Sequence, residues 1–358
     1  MIKKFIPLII LGIVLTGCTS KEVPPDVQTY PETELPNETG QSAKDTLQTL
    51  HVQPEHFQYV VDWLSDTEIV YVEQEENTYA IKSFNRLTGK SELIDREDSF
   101  INDVLVHPSK KYLLIHTSDD SDSATVKIIS LDGTVLHQLA IESKELSVEW
   151  NDIDENLVLL TAFHDDWSFD LFYYDGHEEE MSSLSLEDPF PKWLGTEQLL
   201  TLSENGAVSA YDVKTDETSP TGISGVVQFE TYFDSLLTMQ PGEGEKVLLE
   251  MRNGEGKLMG KVEMPAVSSF SGLVMPEMDW LSADEVRMKV PTAGGKLDEM
   301  TAPFQLADIR GGQVNVLMDD VPDGPLHCSP AGTYCLTGYE GEDVLDLAKK
   351  ELNKWLEQ

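Results

Sequence analysis

From residue 57 onward, apolar positions recur in a two-part unit: a short alternating run, a tight polar turn, then a denser apolar run. The units read YVVDWLSDTEIVYV (59–72), VLVHPSKKYLLIHT (104–117), SVEWNDIDENLVLLTAF (147–163), PKWLGTEQLLTL (191–202), VVQFETYFDSLLTM (226–239), EMDWLSADEVRMKV (277–290) and PLHCSPAGTYCLTG (325–338). The dense runs start near Glu68, Tyr112, Leu157, Gln198, Leu236, Glu285 and Tyr334, at spacings of 38 to 49 residues. In most units two further strands follow, joined by Gly-, Asp- or Asn-rich turns, as in TVKIISLDGTVLHQL (125–139) and VLLEMRNGEGKLMGKV (247–262). Alternating apolar residues around such turns are hairpin signals. Four antiparallel strands repeated at this period predict an all-β fold, a β-propeller of four-stranded blades, because radial closure protects edges that a stack of separate small sheets would expose.

Seven candidate units are counted over the propeller domain, 46–358, or six blades if one degenerate unit is not a true blade. The last unit differs: Asp343 to Gln358 reads partly as a helix, with Val344, Leu347 or Ala348, Leu352 and Trp355 at helical spacing. The segment LQTLHV (47–52) is placed as an outer strand of that final blade, closing the ring by joining the two termini.

Ahead of the repeat lies a different pattern. Lys3 and Lys4 precede an apolar run from Phe5 to Leu15, too short to span a bilayer core of about 30 Å, and it ends in Leu15-Thr16-Gly17-Cys18. This predicts a lipoprotein signal peptide, 1–17, with a lipobox and lipidation at Cys18; the plain alternative is a secretory peptide cut elsewhere. By resemblance to bacterial lipoproteins, Cys18 carries a diacylglyceryl group, and two acyl chains suffice for stable anchoring. Residues 18–45 form a disordered Pro/Glu/Thr tether, punctuated by Pro24, Pro25, Pro31 and Pro36 and almost without apolar side chains. The expected location is the extracytoplasmic face of the cell membrane, reached through lipid.

Charge narrows the partners. The chain carries 25 basic and 65 acidic residues, a net charge of −40. Nucleic acid is excluded, since it needs a basic face, and anionic headgroups repel rather than adsorb such a chain. The bland account of the acidity is solubility and self-repulsion, which suits a monomer. A lipobox, a Pro/Glu/Thr tether and a propeller of WD-poor, SPxG-type repeats such as Ser329-Pro330-Ala331-Gly332 together resemble the YqgU-like lipoproteins of Gram-positive bacteria. The resemblance implies a membrane lipoprotein with a six-bladed propeller, one blade fewer than the units counted, and carries over no site residues.

Candidate chemistry is sparse. Cys328 and Cys335 flank a tight turn and face each other across a hairpin, either as a disulfide or as two buried thiols. Closing so short a loop stabilises by about 2–3 kcal/mol in the chain-entropy view. The links between second and third strands carry Glu73, Glu75, Glu76; Asp119, Asp120, Asp122; Asp165, Asp166; Glu204; Glu243, Glu245; Asp298, Glu299; and Glu340, Glu342, Asp343, with Lys296 the clearest exception. One face should therefore bear an acidic ring, suited to cations or a basic partner. DDSDS (119–123) makes Asp119, Asp120 and Asp122 candidate Ca2+ ligands, without the full EF-hand pattern; otherwise no cofactor is expected. His164, Asp165, Asp166 and Trp167 cluster as a candidate ligand site, against the alternative that Trp167 packs on a blade edge. Trp63, Trp150, Trp193 and Trp280 occupy matching first-strand positions and read as packing core.

No nucleophile elbow, zinc-protease motif, P-loop or CxxC occurs, so catalytic residues are not assigned. The expected function is a binding module for a cell-envelope protein, peptide or polymer. The alternative is a hydrolase or lyase acting on wall or extracellular polysaccharide with paired carboxylates; a structural accessory in envelope assembly is a third reading.

Overall fold

The computed structural model describes residues 47–120, 122–300 and 304–357. Leu15, Thr16, Gly17, Cys18 and the predicted tether over 18–45 lie outside the described residues. Among those described, seven four-stranded antiparallel sheets follow one another along the chain. Blade 1 consists of Phe57–Ser65, Glu68–Glu75, Thr78–Asn85 and Lys90–Glu97. Blades 2 to 7 span 100–142, 145–184, 192–220, 228–265, 278–321 and 327–354. A small three-stranded sheet joins Val267–Ser269 and Gly272–Leu273 to Gly295–Lys296, beside blades 5 and 6.

The dense apolar runs are the second strands, and both of their faces are buried. In blade 1, Ile69 and Tyr71 enter one cluster with Leu336 and Val344 of blade 7. The alternate residues Val70 and Val72 enter another with Leu113 and Ile115 of blade 2. Leu114 then turns to blade 3, Leu157 and Leu159 to blade 4, Leu200 to blade 5, and Leu237 and Met239 to blade 6. A seventh cluster holds Leu306 and Val321 of blade 6 against Cys328, Cys335 and Leu345 of blade 7. There is one buried cluster for each pair of adjacent blades, including 7 and 1, so the ring is closed. Strand alternation explains this: successive side chains point to opposite faces, and here each face meets another sheet.

Blade 6 varies the theme. Val286 and Met288 face blade 5, while the intervening Arg287 and Lys289 are almost fully buried and reach blade 7. Arg287 donates to Asp308 at 2.7 Å and to the Gly332 carbonyl at 2.5 Å. Lys289 donates to the Gly324 carbonyl and to Thr337 Oγ1 at 2.6 and 2.5 Å. Burial pulls the Lys289 ammonium down to about 8.

The chain ends meet differently from the expectation. Asp343 to Gln358 holds no helix among its described residues; it supplies Asp343–Asp346 and Glu351–Lys354, the outer strands of blade 7, and then Leu356–Glu357. Lys350 turns the chain between the two strands at φ +58. Leu50–His51 is not an outer blade strand but pairs in parallel with Leu356–Glu357. Trp355, fully buried, lies between blades 1 and 7, its ring 5.7 Å from Phe84 and its Nε1 donating to the Gly341 carbonyl at 2.7 Å. Cys328 and Cys335 pair directly across the first two strands of blade 7 and are joined by a disulfide.

Trp355→Ala should cost about 3–5 kcal/mol, the usual penalty for a large aromatic cavity. The same change at the exposed Trp167 should cost within about 0.5 kcal/mol. Urea denaturation of both variants measures the contrast, and equal loss would mean that Trp355 does not seal the ring.

Candidate functional site

First strands touch between blades 1 and 2, 3 and 4, 4 and 5, 6 and 7, and 7 and 1, which places them around the axis. The matched positions Trp63, Trp150, Trp193, Thr231, Trp280 and Cys328 each pair with the second residue of the following strand. Immediately before them stand Asp62, Glu149, Lys192, Glu230, Asp279 and His327. Six of seven blades thus place a titratable side chain at one level. Blade 2 has Leu105 there, with Asp103 one pleat along.

These side chains meet between blades rather than within one. Lys192 of blade 4 bridges Glu149 of blade 3 at 3.1 Å and Glu230 of blade 5 at 3.3 Å. Asp62 and Asp279, from blades 1 and 6, repel each other although blade 7 lies between them. Asp103 of blade 2 feels His327 of blade 7. Lys110, from the first turn of blade 2, donates to Asp62 at 2.7 Å. Asp279 accepts from the Cys328 N–H at 2.5 Å, and Asp152 from the Phe233 N–H at 3.2 Å. Tyr232 lies among Asp152, Asp279 and Asp62 and stacks on Trp280, with ring centroids 5.6 Å apart.

Carboxylates outnumber cations in this channel, and the protonation balance records it. Burial pushes Glu149 up to about 7, with Lys192 opposing. Burial also pushes Asp152 up to about 6, and Asp279 to about 6 with Asp62 adding like-charge repulsion. Asp103 is raised by burial too. Burial works against the Lys192 charge, yet Glu149 and Glu230 hold it well above its ordinary value. In this three-membered unit Lys192 stays charged and Glu149 bears the cost of burial. Carboxyls poised near neutral pH in a concave site are a recognised mark of function.

The rim behaves differently from its expected form. Glu73 and Glu75 are neutralised by Lys82, and Glu75 also by Arg96. Lys144 bonds Asp122 and lies 3.6 Å from Asp165, and Lys296 pairs with Glu299. These cations come largely from outside the links themselves and pair Glu73, Glu75, Asp122, Asp165 and Glu299 among the carboxylates of this face. Among the described residues, no group of three or more His, Cys, Asp or Glu is arranged to hold a metal ion. Asp119 and Asp120 end the second strand of blade 2, and Asp122 is held by Lys144. His164, Asp165 and Asp166 do come together with Asp122, in a cleft between blades 2 and 3. Trp167 does not pack on a blade edge: it is 76% exposed. Trp63, Trp150 and Trp193 are buried between blades, as expected of packing core.

Sequence reasoning passed over the channel ring. The available signal was the residue before each matched Trp, where Asp, Glu, Lys and Asp recur at Asp62, Glu149, Lys192 and Asp279.

A family model described as a YqgU-like 6-bladed beta propeller domain matches residues 85–338. That stretch holds the whole of blades 2 to 6 and parts of blades 1 and 7, and the described four-stranded sheets number seven against the six blades of the description. The Bacillus subtilis (strain 168) protein named "Uncharacterized lipoprotein YqgU" is 20% identical over 296 residues, 81% of each chain. The crystal structure of the uncharacterized protein lmo1340 from Listeria monocytogenes EGD-e superposes with a TM-score of 0.78 at 19% identity. It covers 87% of this chain and 98% of the other, a likeness of fold.

A raised carboxyl is a stability statement with a definite sign. Asp279 binds a proton more readily folded than unfolded between its ordinary 3.8 and about 6, so stability falls as pH rises through that window. Asp279→Asn keeps an acceptor for Cys328 and removes the charge. The variant should be more stable at pH 8 by roughly 1–3 kcal/mol, melting a few degrees higher, and lose that advantage near pH 4. Melting curves at the two pH values test this; an unchanged difference would show that Asp279 is not held up by burial.

Proposed function

The chain belongs to the YqgU-like 6-bladed β-propeller family, and from that premise we propose that it is a lipid-anchored extracytoplasmic binding module. Its central channel receives a basic segment of a cell-envelope partner. The observation that carries the reading is the ring built by separate blades, in which burial holds Glu149, Asp152 and Asp279 above the ordinary carboxylate range and carboxylates outnumber cations. A ligand ammonium or guanidinium would supply the missing charge and displace those protons. The lipobox at Leu15, Thr16, Gly17 and Cys18, together with the name borne by the Bacillus relative, supports the anchor.

A second reading, hydrolysis or elimination on a wall or extracellular polysaccharide, draws on the same place. Burial raises Glu149 toward neutrality, and Glu230 shares its lysine, so a raised carboxyl stands beside a second one as an acid–base pair requires.

Calorimetric titration with a hexalysine peptide at fixed ionic strength tests the binding reading. Affinity should rise at least about tenfold between pH 5 and pH 8, because the ligand prefers ionised carboxylates. Asp279→Asn should flatten that dependence. Affinity that is flat or falls with pH removes the reading, and glycan turnover abolished by Glu149→Gln would replace it with the enzymatic one. For the anchor, Cys18→Ala should move a folded protein from the membrane fraction to the medium; firm retention would contradict lipidation at Cys18.

A further inference from the structure

A cleft of about 530 Å³ opens between blades 2 and 3, away from the channel ring. Three segments line it: Asp122 from blade 2; Glu142, Ser143 and Lys144 from the link between the blades; and His164, Asp165, Asp166 and Ser168 from blade 3. Its polar groups are fixed in place. Lys144 is held by Asp122, and its backbone N–H donates to the Phe163 carbonyl at 2.9 Å. Asp166 accepts from Ser168 N–H at 3.0 Å and from Ser168 Oγ at 2.6 Å, and His164 Nε2 lies 3.0 Å from Asp170.

One group is left over. Ser143 is only 7% exposed, its N–H is bonded to the Asp122 carbonyl, and its Oγ has no hydrogen-bond partner. A buried hydroxyl without a partner costs free energy on the order of 1–3 kcal/mol, and such groups are few in folded proteins. Beside the cleft, on the turn that forms one wall, Trp167 stands 76% exposed at φ +64. A left-handed conformation at a bulky residue costs roughly 1–2 kcal/mol, and a ring this exposed gains little packing to offset it.

The lining selects a class of ligand. An anion would face Asp122, Glu142, Asp165 and Asp166; a free cation would find Lys144 already between two of those carboxylates. A neutral polyol satisfies both kinds of group, since its hydroxyls donate to the carboxylates and accept from Lys144 and Ser143. An exposed indole offers a flat apolar surface of the kind on which a pyranose ring can lie. We propose that this cleft is a binding subsite for a neutral oligosaccharide, with Ser143 hydrogen-bonding a sugar oxygen and Trp167 stacking on a sugar ring. The subsite does not depend on the basic-partner reading of the channel.

The test is titration of the full propeller with chitotetraose, cellotetraose and maltotetraose, followed by tryptophan fluorescence and calorimetry. At least one should bind with a Kd below about 10 mM, the weak end expected for a shallow polar site. Trp167→Ala should weaken that binding at least about tenfold and Ser143→Ala about fivefold, while Asp279→Asn in the channel leaves it unchanged. Trp167→Gly should melt at or above the parent, relieved of its left-handed strain, yet also lose binding; this separates a ligand role from a structural one. No binding of any of the three sugars up to that concentration, or binding indifferent to both Trp167→Ala and Ser143→Ala, overturns the proposal. Preferential binding of inorganic phosphate or spermidine at the cleft overturns it equally.

Discussion

The rest of the structure depends on sheets packing face to face with none left uncovered. Each second strand buries both its faces, as Ile69 and Tyr71 do toward blade 7 while Val70 and Val72 turn to blade 2. A sheet with two apolar faces needs a neighbour on each side. A row of such sheets satisfies that demand at its ends only by closing on itself. Here the last interface differs in kind from the others: it recruits Leu50, Val52, Trp355 and Leu356 from the chain termini. Radial closure then brings the first strands around one axis, which is how residues hundreds of positions apart become neighbours. The hydrogen bond from Trp63 Nε1 to the His327 carbonyl, 3.0 Å long, spans 264 residues.

That dependence explains what could be read from the chain. A strand buried on both sides writes an unbroken apolar run, so the dense runs were visible; six of the seven start where expected, and the fifth starts at Ser235 rather than Leu236. The seventh unit misled because Val344, Leu352 and Trp355 serve different surfaces. Val344 packs toward blade 1, Leu352 is 43% exposed on an outer strand, and Trp355 fills the closing interface. Their helical spacing is a coincidence of a hairpin followed by a plug. Blade 6 was legible as a unit yet not as chemistry, because Arg287 occupies the position where the other blades place Val or Leu, and Lys289 is buried one pleat further along.

The channel was hidden for a related reason. A first strand shows only a few residues to the axis, and one charged residue per blade, some 40 apart, looks like ordinary surface. By contrast, the acidic links stood out in the sequence, but the cations that pair with part of them did not. Lys82, Arg96 and Lys144 arrive from third and fourth strands and from between blades to pair Glu73, Glu75, Asp122 and Asp165. Composition reports how much charge a protein carries; only topology decides where it goes uncompensated.

Within the ring the shortage is uneven. On the side of blades 3, 4 and 5, Lys192 sits between Glu149 and Glu230 and its charge is firmly held. On the side of blades 6, 7 and 1, Asp279 and Asp62 share Lys110, which bonds only Asp62 of the two. His327, the residue of blade 7 at this level, contributes a full cation only when protonated. An arriving ammonium would displace Lys192 with difficulty but would meet Asp279 in want of a partner. For the basic segment proposed as ligand, the electrostatics favour a first contact on the arc from blade 6 to blade 1, beside the interface that holds Leu50, Trp355 and Leu356.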